Sequence, residues 1–211
     1  LSKENKVKHL IFASTSSVYG NSKKFPVKEV DSTDAPLTFY AATKKTNEVI
    51  AHAYANIYKL NCTGLRFFTV YGPYGRPDMA FFKFVDSIYK GKNIELYNNG
   101  NHYRDFTYVE DITNSIFLLL KKISKKEIPF EIYNIGNGNS VFLKDTIKII
   151  EKKIGKKAKI KNLKLQKGDV VKSHSNIKKL KNKIRYSPKT DIKKGLDKFI
   201  EWYKAYYINE L

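Results

Sequence analysis

A tyrosine and a lysine four residues apart, preceded in the chain by a run of hydroxyl side chains, are the residues best suited to chemistry. Tyr40 and Lys44 fall near the start of a predicted helix, where side chains at i and i+4 share a face. A neighbouring ammonium group stabilises a phenolate and lowers the pKa of the phenol from about 10. Such a phenolate could take the proton of a sugar hydroxyl while the carbinol hydride moves to an oxidised nicotinamide. Thr15, at the end of a predicted strand, could bond to the same oxygen.

The spacing Tyr-x-x-x-Lys does not identify this pair by itself, because it occurs twice in the sequence. The other pair, Tyr19 and Lys23, spans the turn-forming letters Gly-Asn-Ser rather than a helix. Only a helical pair brings both groups to one face. We therefore assign the acid–base role to Tyr40 and Lys44.

The segments that carry these residues predict one β-α-β unit. Residues 9–13 are a short apolar run that ends in small hydroxyl residues, which is typical of a buried parallel strand. Residues 38–59 predict a helix and residues 63–68 the next strand, closed by a turn at residues 71–75. The helix carries an apolar face at the spacing i, i+3, i+4 and i+7, formed by Ile50, Ala53, Tyr54 and Ile57. This order implies a parallel sheet with its site at the carboxyl ends of the strands.

The rest of the chain continues to alternate helices and strands. Helices are predicted at residues 80–90, 111–122, 143–154 and 192–203. Strands are predicted at residues 94–97 and 131–135, and residues 104–108 lead into the second of these helices. The pattern indicates an α/β protein.

The charge of the chain raises the question of its partners. The formal net charge is +20, and lysine outnumbers arginine 36 to 4. Recognition of bases and phosphates favours the planar arginine fork, so this composition favours a solvated lysine-rich surface over general attraction to anionic substrates. Nucleic-acid binding is the least favoured of the three readings.

The cysteine content and the hydropathy of the chain indicate the cellular compartment in which it works. The single cysteine, Cys62, excludes an intramolecular disulfide framework and fits a reducing cytoplasm. No apolar run approaches the roughly 20 residues that cross a bilayer. The chain begins with Leu1 and has no secretory leader, so we expect a cytoplasmic piece of a longer protein.

In these motifs the chain resembles the carboxyl-terminal two thirds of an extended short-chain dehydrogenase/reductase that acts on nucleotide sugars. Within that superfamily it is most similar to the UDP-glucuronate 4-epimerases. The most specific match is the string RFFTVYGPYGRPDMA. The matching segments are residues 9–20, 40–48, 64–84, 104–112, 133–138, 166–170 and 199–207.

The resemblance implies the carboxyl-terminal part of a Rossmann-type parallel-sheet domain with a smaller α/β substrate-binding lobe. Residues 1–75 and 104–136 would be the remainder of the NAD-binding domain, whose first strands are missing. Residues 76–103 and 137–211 would form the nucleotide-sugar-binding lobe.

The resemblance also implies roles for single residues. Tyr40 is then the catalytic acid and base, Lys44 holds the nicotinamide ribose, and Thr15 is the hydroxyl on the substrate side. The other implied contacts with NAD are Ser14, Phe67 and Phe68. The implied substrate-binding residues are Ser16, Ser17, Thr69, Arg76, Asp78, Met79, Tyr97, Arg104 and Asp169. No metal site is implied.

Several of these substrate contacts have an implied partner. Arg76 and Arg104 suit the diphosphate or a carboxylate, because charge-assisted bonds are strong. Tyr97 would stack on the uracil, and Asp169 would accept hydrogen bonds from the ribose. Relatives with a basic residue at the position of Gln166 use it on the diphosphate, so that contact is weaker here or comes from a lysine.

The pair Ser16-Ser17 separates this chain from other members of the superfamily. Dehydratases carry an acidic pair after the catalytic threonine, and UDP-glucuronate decarboxylases carry a glutamate just before Val-Tyr-Gly. This chain has no carboxylate there to remove the C5 proton, so simple epimerisation is favoured. The hydroxyls of Ser16 and Ser17 would instead face the C5 substituent.

The glycine-rich turn that normally places the cofactor's pyrophosphate at a helix amino terminus is missing from the sequence. Gly136-Asn137-Gly138 lies too far downstream to replace it. We therefore expect a fragment of an NAD-dependent UDP-sugar 4-epimerase, which would be a homodimer at full length. The alternatives are a non-catalytic remnant that binds a UDP-sugar weakly, and another nucleotide-sugar enzyme such as a UDP-N-acetylglucosamine 4-epimerase or a dehydratase.

Overall fold

The computed structural model describes residues 1–208 of the 211-residue chain. Within that range the chain forms six α-helices and eight strands. The helices are α1 (Phe39–Tyr58), α2 (Ala80–Tyr89), α3 (Val109–Leu120), α4 (Leu143–Ile154), α5 (Lys178–Ile184) and α6 (Ile192–Tyr207). The strands are β1 (Leu10–Thr15), β2 (Cys62–Phe67), β3 (Thr69–Tyr71), β4 (Asn93–Tyr97), β5 (Tyr103–Tyr108), β6 (Phe130–Ile135), β7 (Ser140–Phe142) and β8 (Lys159–Leu163).

The predicted β-α-β unit is present as a parallel sheet in the order β1-β2-β6. In its register Thr15 lies opposite Phe67, and Phe67 lies opposite Ile135. Because the three strands run in one direction, these residues meet at a single edge of the sheet. Helix α1 is the crossover between β1 and β2 and packs on both strands. The predicted α/β fold class is confirmed.

Helix α1 carries Tyr40 and Lys44, and its first turn is closed by Thr38. The Thr38 hydroxyl accepts a hydrogen bond of 3.1 Å from the Ala41 amide, which satisfies one of the free N–H groups at the helix start. The residue that caps the end of the helix, Lys59, adopts a left-handed conformation with φ of 51°. The cap therefore fixes the part of the backbone from which Tyr40 projects.

The apolar face that the sequence marks on α1 does not point to the sheet. Ile50, Tyr54 and Ile57 are 52%, 46% and 65% exposed. The side of the helix that packs on the sheet is made of small residues and one carboxylate, namely Ala41, Glu48, Ala51 and Ala55. Alanine lets the helix approach the strands closely, and the large apolar side chains stay on the surface.

A second set of elements packs beside the sheet. Strands β3, β5 and β7 form one small sheet, and β4 pairs in parallel with β8. Their core is rich in aromatic side chains from α2, α6 and β5. Tyr71, in β3, packs edge-to-face on Phe81 with 5.2 Å between ring centroids and on Tyr108 with 5.7 Å.

Strands β3, β7 and β8 and helix α5 were not expected from the sequence. Helix α5 packs on β6 and α3, and it contributes Leu180 and Ile184 to the core of the parallel sheet. The division of the chain into residues 1–75 with 104–136, and 76–103 with 137–211, stays a prediction. None of the helices in the described range has the length and hydropathy needed to span a bilayer.

Candidate active site

A cavity of about 560 Å³ opens at the carboxyl ends of β1 and β2. Most of the predicted catalytic and cofactor-binding residues lie in its wall, together with part of the predicted substrate set. The predicted residues that line it are Ser14, Thr15, Ser16, Ser17, Tyr40, Phe67, Phe68, Thr69, Arg76 and Met79. No aspartate or glutamate lines this cavity among the described residues. The wall is therefore hydroxyl-rich and aromatic, with one cationic side chain.

Tyr40 and Lys44 have the relation that their spacing predicts. Tyr40 is 54% exposed and faces the cavity. The Lys44 ammonium lies 5.9 Å from the centroid of the Tyr40 ring and donates a hydrogen bond of 3.2 Å to the Ala13 carbonyl. The positive charge is thus held beside the phenol, at the end of β1.

Thr15 ends β1 and starts a single 3-10 turn, Ser16–Tyr19. Its side-chain oxygen accepts a hydrogen bond of 3.2 Å from the Ser17 amide and donates one of 3.2 Å to the Ser17 hydroxyl. Thr15 is 7% exposed, and Ser16 and Ser17 are half-buried. Three hydroxyl groups therefore stand close together at the edge of the sheet, on the wall that they share with Tyr40.

Ser14 reaches the cavity wall, but its hydroxyl points to α1. It donates a hydrogen bond of 2.6 Å to Glu48 Oε1. Glu48 is 4% exposed and is paired with Arg66, which is also 4% exposed. Burial lowers the pKa of Arg66, but its bonds to Glu48 outweigh that effect and raise it. The side chain of Ser14 is thus part of a buried polar group that the motifs did not indicate.

Glu48 stands four residues after Lys44, so a stripe at i, i+4 and i+8 on α1 could have marked it. Two further members of the buried group, Tyr19 and Asn134, are 115 residues apart and share a hydrogen bond of 2.6 Å. No local pattern joins residues at that separation.

A smaller cavity of about 170 Å³ lies on the other side of Ser16, Ser17 and Thr69. It contains two more predicted substrate-binding residues, Arg104 and Asp169. Its wall also includes charged and aromatic residues that were not predicted, namely Tyr19, Phe25, Lys172 and His174.

Arg104 and Asp169 are bound to each other, with 2.8 Å between Nη2 and Oδ1. Arg104 also donates to the Val171 carbonyl at 3.1 Å. Burial lowers the pKa of Arg104, and the charge of Asp169 opposes that effect. His102 Nε2 lies 3.0 Å from the other oxygen of Asp169, without the alignment of a hydrogen bond. Burial, together with the charge of Arg104, lowers the pKa of His102.

Three predicted residues stand outside both cavity walls, namely Lys44, whose bonds are given above, Asp78 and Tyr97. Asp78 binds its neighbour Arg76, with 3.0 Å between Arg76 Nε and Asp78 Oδ1, and this bond lowers the pKa of Asp78. Tyr97 ends β4 and is half-buried. The roles of Asp78 and Tyr97 in substrate binding stay predictions. In the part of the chain that the structure describes, no three His, Cys, Asp or Glu side chains are grouped as metal ligands.

Comparison with known proteins places these observations in a family. A family model described as NAD dependent epimerase/dehydratase family matches residues 1–136. Protein CapI of Staphylococcus aureus is 46% identical over 95% of this chain and 64% of its own length. A probable UDP-glucuronate 4-epimerase of Rhizobium meliloti is 41% identical over 95% of this chain and 63% of its own length.

A solved structure gives the same result. The UDP-glucuronic acid 4-epimerase of Bacillus cereus, in complex with UDP-glucuronic acid and NAD, superposes with a TM-score of 0.91 at 33% identity. The match covers 98% of this chain and 64% of that enzyme. The chain thus spans slightly less than two thirds of the length of these relatives. The chain belongs to the NAD-dependent epimerase/dehydratase family.

Proposed function

We propose that this protein is an NAD-dependent 4-epimerase of a UDP-sugar, with UDP-glucuronate and UDP-galacturonate as its substrate pair. The observation that carries the proposal is the shared cavity wall of Tyr40, Thr15, Ser16 and Ser17, with the Lys44 ammonium 5.9 Å from the Tyr40 ring. A base, a hydroxyl on the substrate side and a charge to tune the base are the groups that reversible oxidation of a carbinol needs.

The residues of the cavity suit the nicotinamide end of NAD. Tyr40 and Lys44 supply a phenol and an ammonium for the ribose hydroxyls, and Phe67 and Phe68 supply an aromatic wall for the ring. Bound at these residues, NAD would supply the hydride acceptor for oxidation at the sugar C4 and the hydride donor for the return step. The chain has no glycine-rich turn for the pyrophosphate, so this cavity accounts for one end of the cofactor.

The acid–base work belongs to Tyr40. Its phenolate takes the proton of the sugar O4 hydroxyl when C4 is oxidised, and the phenol returns that proton when C4 is reduced. Lys44 stabilises the phenolate through its charge. Thr15 bonds to the same sugar oxygen and holds it at the end of β1. For inversion at C4, the keto sugar turns over before the return step, and a cavity of about 560 Å³ leaves room for that rotation.

The choice of a uronic acid rests on the hydroxyls of Ser16 and Ser17. Hydroxyl groups can donate to a carboxylate at C5, and within residues 1–208 no acidic side chain lines the cavity and would repel it. The same lack of a carboxylate leaves no base for the C5 proton, which disfavours elimination and decarboxylation.

The second cavity is proposed for the nucleotide end. Arg104 offers a guanidinium to a diphosphate, and Asp169 offers carboxylate oxygens to ribose hydroxyls. Arg104 and Asp169 are already bound to each other. The nucleotide would therefore bind to the remaining donors of Arg104 and acceptors of Asp169 while that ion pair stays in place.

Two further properties complete the proposal. We expect a homodimer that forms through the exposed apolar face of α1, where Ile50, Tyr54 and Ile57 lie. We also expect a cytoplasmic enzyme, in line with its single free thiol, Cys62.

The proposal is tested by Tyr40→Phe in the protein expressed from its natural start codon. Removal of the phenol oxygen should lower the rate at which UDP-glucuronate is converted into UDP-galacturonate by about 10²-fold or more. Chromatography of the two nucleotide sugars measures that rate, and Tyr58→Phe, at the far end of α1, is the matched control. Turnover of Tyr40→Phe close to wild type would refute the assignment.

A further inference from the structure

We propose that Glu48 and Arg66 are positioning residues that hold the catalytic face of α1 at a fixed distance from the Ser16–Tyr19 turn. The inference deepens the proposed function and rests on it, because the groups held in place are its acid–base pair and its substrate hydroxyls. The pair itself lies below the cavity wall and does not line it.

Glu48 ties α1 to β1. It continues the stripe of Tyr40 and Lys44 along the helix, but it is buried, whereas Tyr40 faces the cavity. Its Oε1 atom accepts a hydrogen bond of 2.6 Å from Ser14, and Lys44, one turn earlier, donates to the Ala13 carbonyl at 3.2 Å. Two successive turns of α1 are therefore bonded to two successive residues of β1, directly before Thr15.

Arg66 joins this helix to the turn. Its Nε and Nη2 atoms donate to the two carboxylate oxygens of Glu48 at 2.9 and 2.8 Å. Its Nη1 atom donates to the Tyr19 hydroxyl at 3.0 Å and to the Glu29 carbonyl at 3.2 Å. The guanidinium also lies 4.8 Å from the centroid of the Tyr19 ring. One buried cation thus contacts both sides of the cavity, the helix of Tyr40 and the turn of Ser16 and Ser17.

The turn is held from its other side by β6. The Tyr19 hydroxyl donates a hydrogen bond of 2.6 Å to Asn134 Oδ1, and Asn134 Nδ2 donates to the Val27 carbonyl at 3.0 Å. Tyr19 is 8% exposed and forms part of the wall of the second cavity. A displacement of Arg66 would therefore move the Ser16–Tyr19 turn as well as α1.

The geometry of these bonds indicates that Glu48 and Arg66 position the helix and the turn rather than stabilise the fold. A buried ion pair contributes little net stability, because desolvation offsets most of the attraction. A bidentate pair does fix geometry, since two parallel bonds form only at one rotation and one depth of the helix. The alanines that surround Glu48 on this face would tolerate a slide of α1. A misplacement of about 1 Å is enough to cost about 10²-fold in rate.

The test replaces the pair by apolar side chains of similar length, Glu48→Met with Arg66→Met, in the protein expressed from its natural start codon. The urea midpoint should stay near that of the wild type, whereas kcat should fall by about 10²-fold with a smaller change in KM. The control is the exposed pair Lys198→Met with Glu110→Met, whose side chains are 41% and 61% exposed, and it should keep both values. A stable double variant with the kcat of the wild type would overturn the proposal.

A second readout does not depend on turnover. Spin labels at Asn47→Cys on α1 and Asn21→Cys after the turn, both exposed positions, report the distance between the two sides. We expect one narrow distance in the otherwise unchanged protein and a broader or shifted distribution in the double variant. An unchanged narrow distribution would overturn the proposal. If the wild type fails to epimerise any UDP-sugar, the proposed function is refuted. The distance between the two spin labels then tests the positioning role of Glu48 and Arg66 by itself.

Should the double variant not fold, Glu48→Gln takes its place. It keeps the length of the side chain and one acceptor for Arg66, so it should fold with a smaller loss of kcat and a modest broadening of the label distance. Wild-type values for both measurements would count against the positioning role.

Discussion

At the scale of single residues, the two Tyr-x-x-x-Lys pairs differ in how each phenol is placed. Lys44 is anchored on the Ala13 carbonyl and lies beside an exposed phenol, that of Tyr40. Lys23 is exposed, and its partner Tyr19 is buried, which raises the pKa of Tyr19 to about 12. A phenol of that kind stays protonated near neutral pH and serves as a structural donor. The environment, and not the spacing, separates the proposed acid–base pair from the accidental one.

Lys44→Met tests the role of this charge. Without the ammonium, the phenolate of Tyr40 loses its electrostatic support, so kcat should fall by about 10²- to 10⁴-fold. The measurement is kcat at saturating UDP-sugar.

The matched control for that experiment is Lys23→Met, which removes a lysine at the same spacing from a tyrosine. It should leave kcat unchanged. A Lys44→Met variant with the kcat of the wild type would contradict the role given to the ammonium.

At the scale of elements, the long helices and the buried strands were predictable and the short ones were not. The bounds of α1, α2 and α4 agree with the predicted ones within one residue, because each of these helices is at least ten residues long and offers more than two full helical periods. Helix α5 has seven residues, of which four are lysines, and β7 has three residues, so neither offers a full period. Strand β8 is exposed along most of its length and carries no core pattern.

The candidate site divides in the same way. Tyr40, Lys44 and Thr15 could be found because each lies at a fixed offset within one β-α step. The buried partners of these residues could not, since Arg66 and Tyr19 meet only through the packing of separate segments. Side chains held by tertiary contacts leave no periodic mark in the sequence.

The stability of α1 should depend on the hydrogen bond that caps its amino terminus. Thr38→Ala removes the acceptor for the Ala41 amide and should lower the free energy of unfolding by about 1 kcal/mol. Thr46→Ala, in the middle of the same helix, is the control. The Thr46 hydroxyl bonds back to the Ala42 carbonyl, so its loss should be neutral or slightly stabilising. Urea unfolding followed by circular dichroism measures both, and equal effects would argue against the cap.

At the scale of the whole molecule, charge is distributed unevenly along the chain. Residues 137–211 contain 21 of the 40 lysines and arginines but only 7 of the 20 aspartates and glutamates. The second cavity, with Arg104 and Lys172, lies partly within this basic region. A nucleotide diphosphate carries negative charge, so the surface field favours its approach. Such attraction needs no specific contact and weakens as salt is added.

The exposed face of α1 gives the prediction for assembly. If that face forms the proposed dimer, Ile57→Glu should place a charge in the interface and shift the protein from dimer to monomer. Light scattering after size-exclusion chromatography measures the mass. Lys204→Glu, at an exposed position of α6, is the control and should leave the mass unchanged. A wild-type protein that is monomeric at all concentrations would rule out the dimer.

The hydrogen bond from Lys44 to the Ala13 carbonyl has a consequence for ligand entry. A lysine that reaches for a ribose from water must first shed part of its hydration shell, whereas Lys44 already has one protein oxygen in place of water. In the proposed function, a ribose hydroxyl would take one of the other two N–H donors of this ammonium, with less water left to displace, while the bond to Ala13 stays in place. The ribose would then be linked through Lys44 to the backbone of β1 two residues before Thr15.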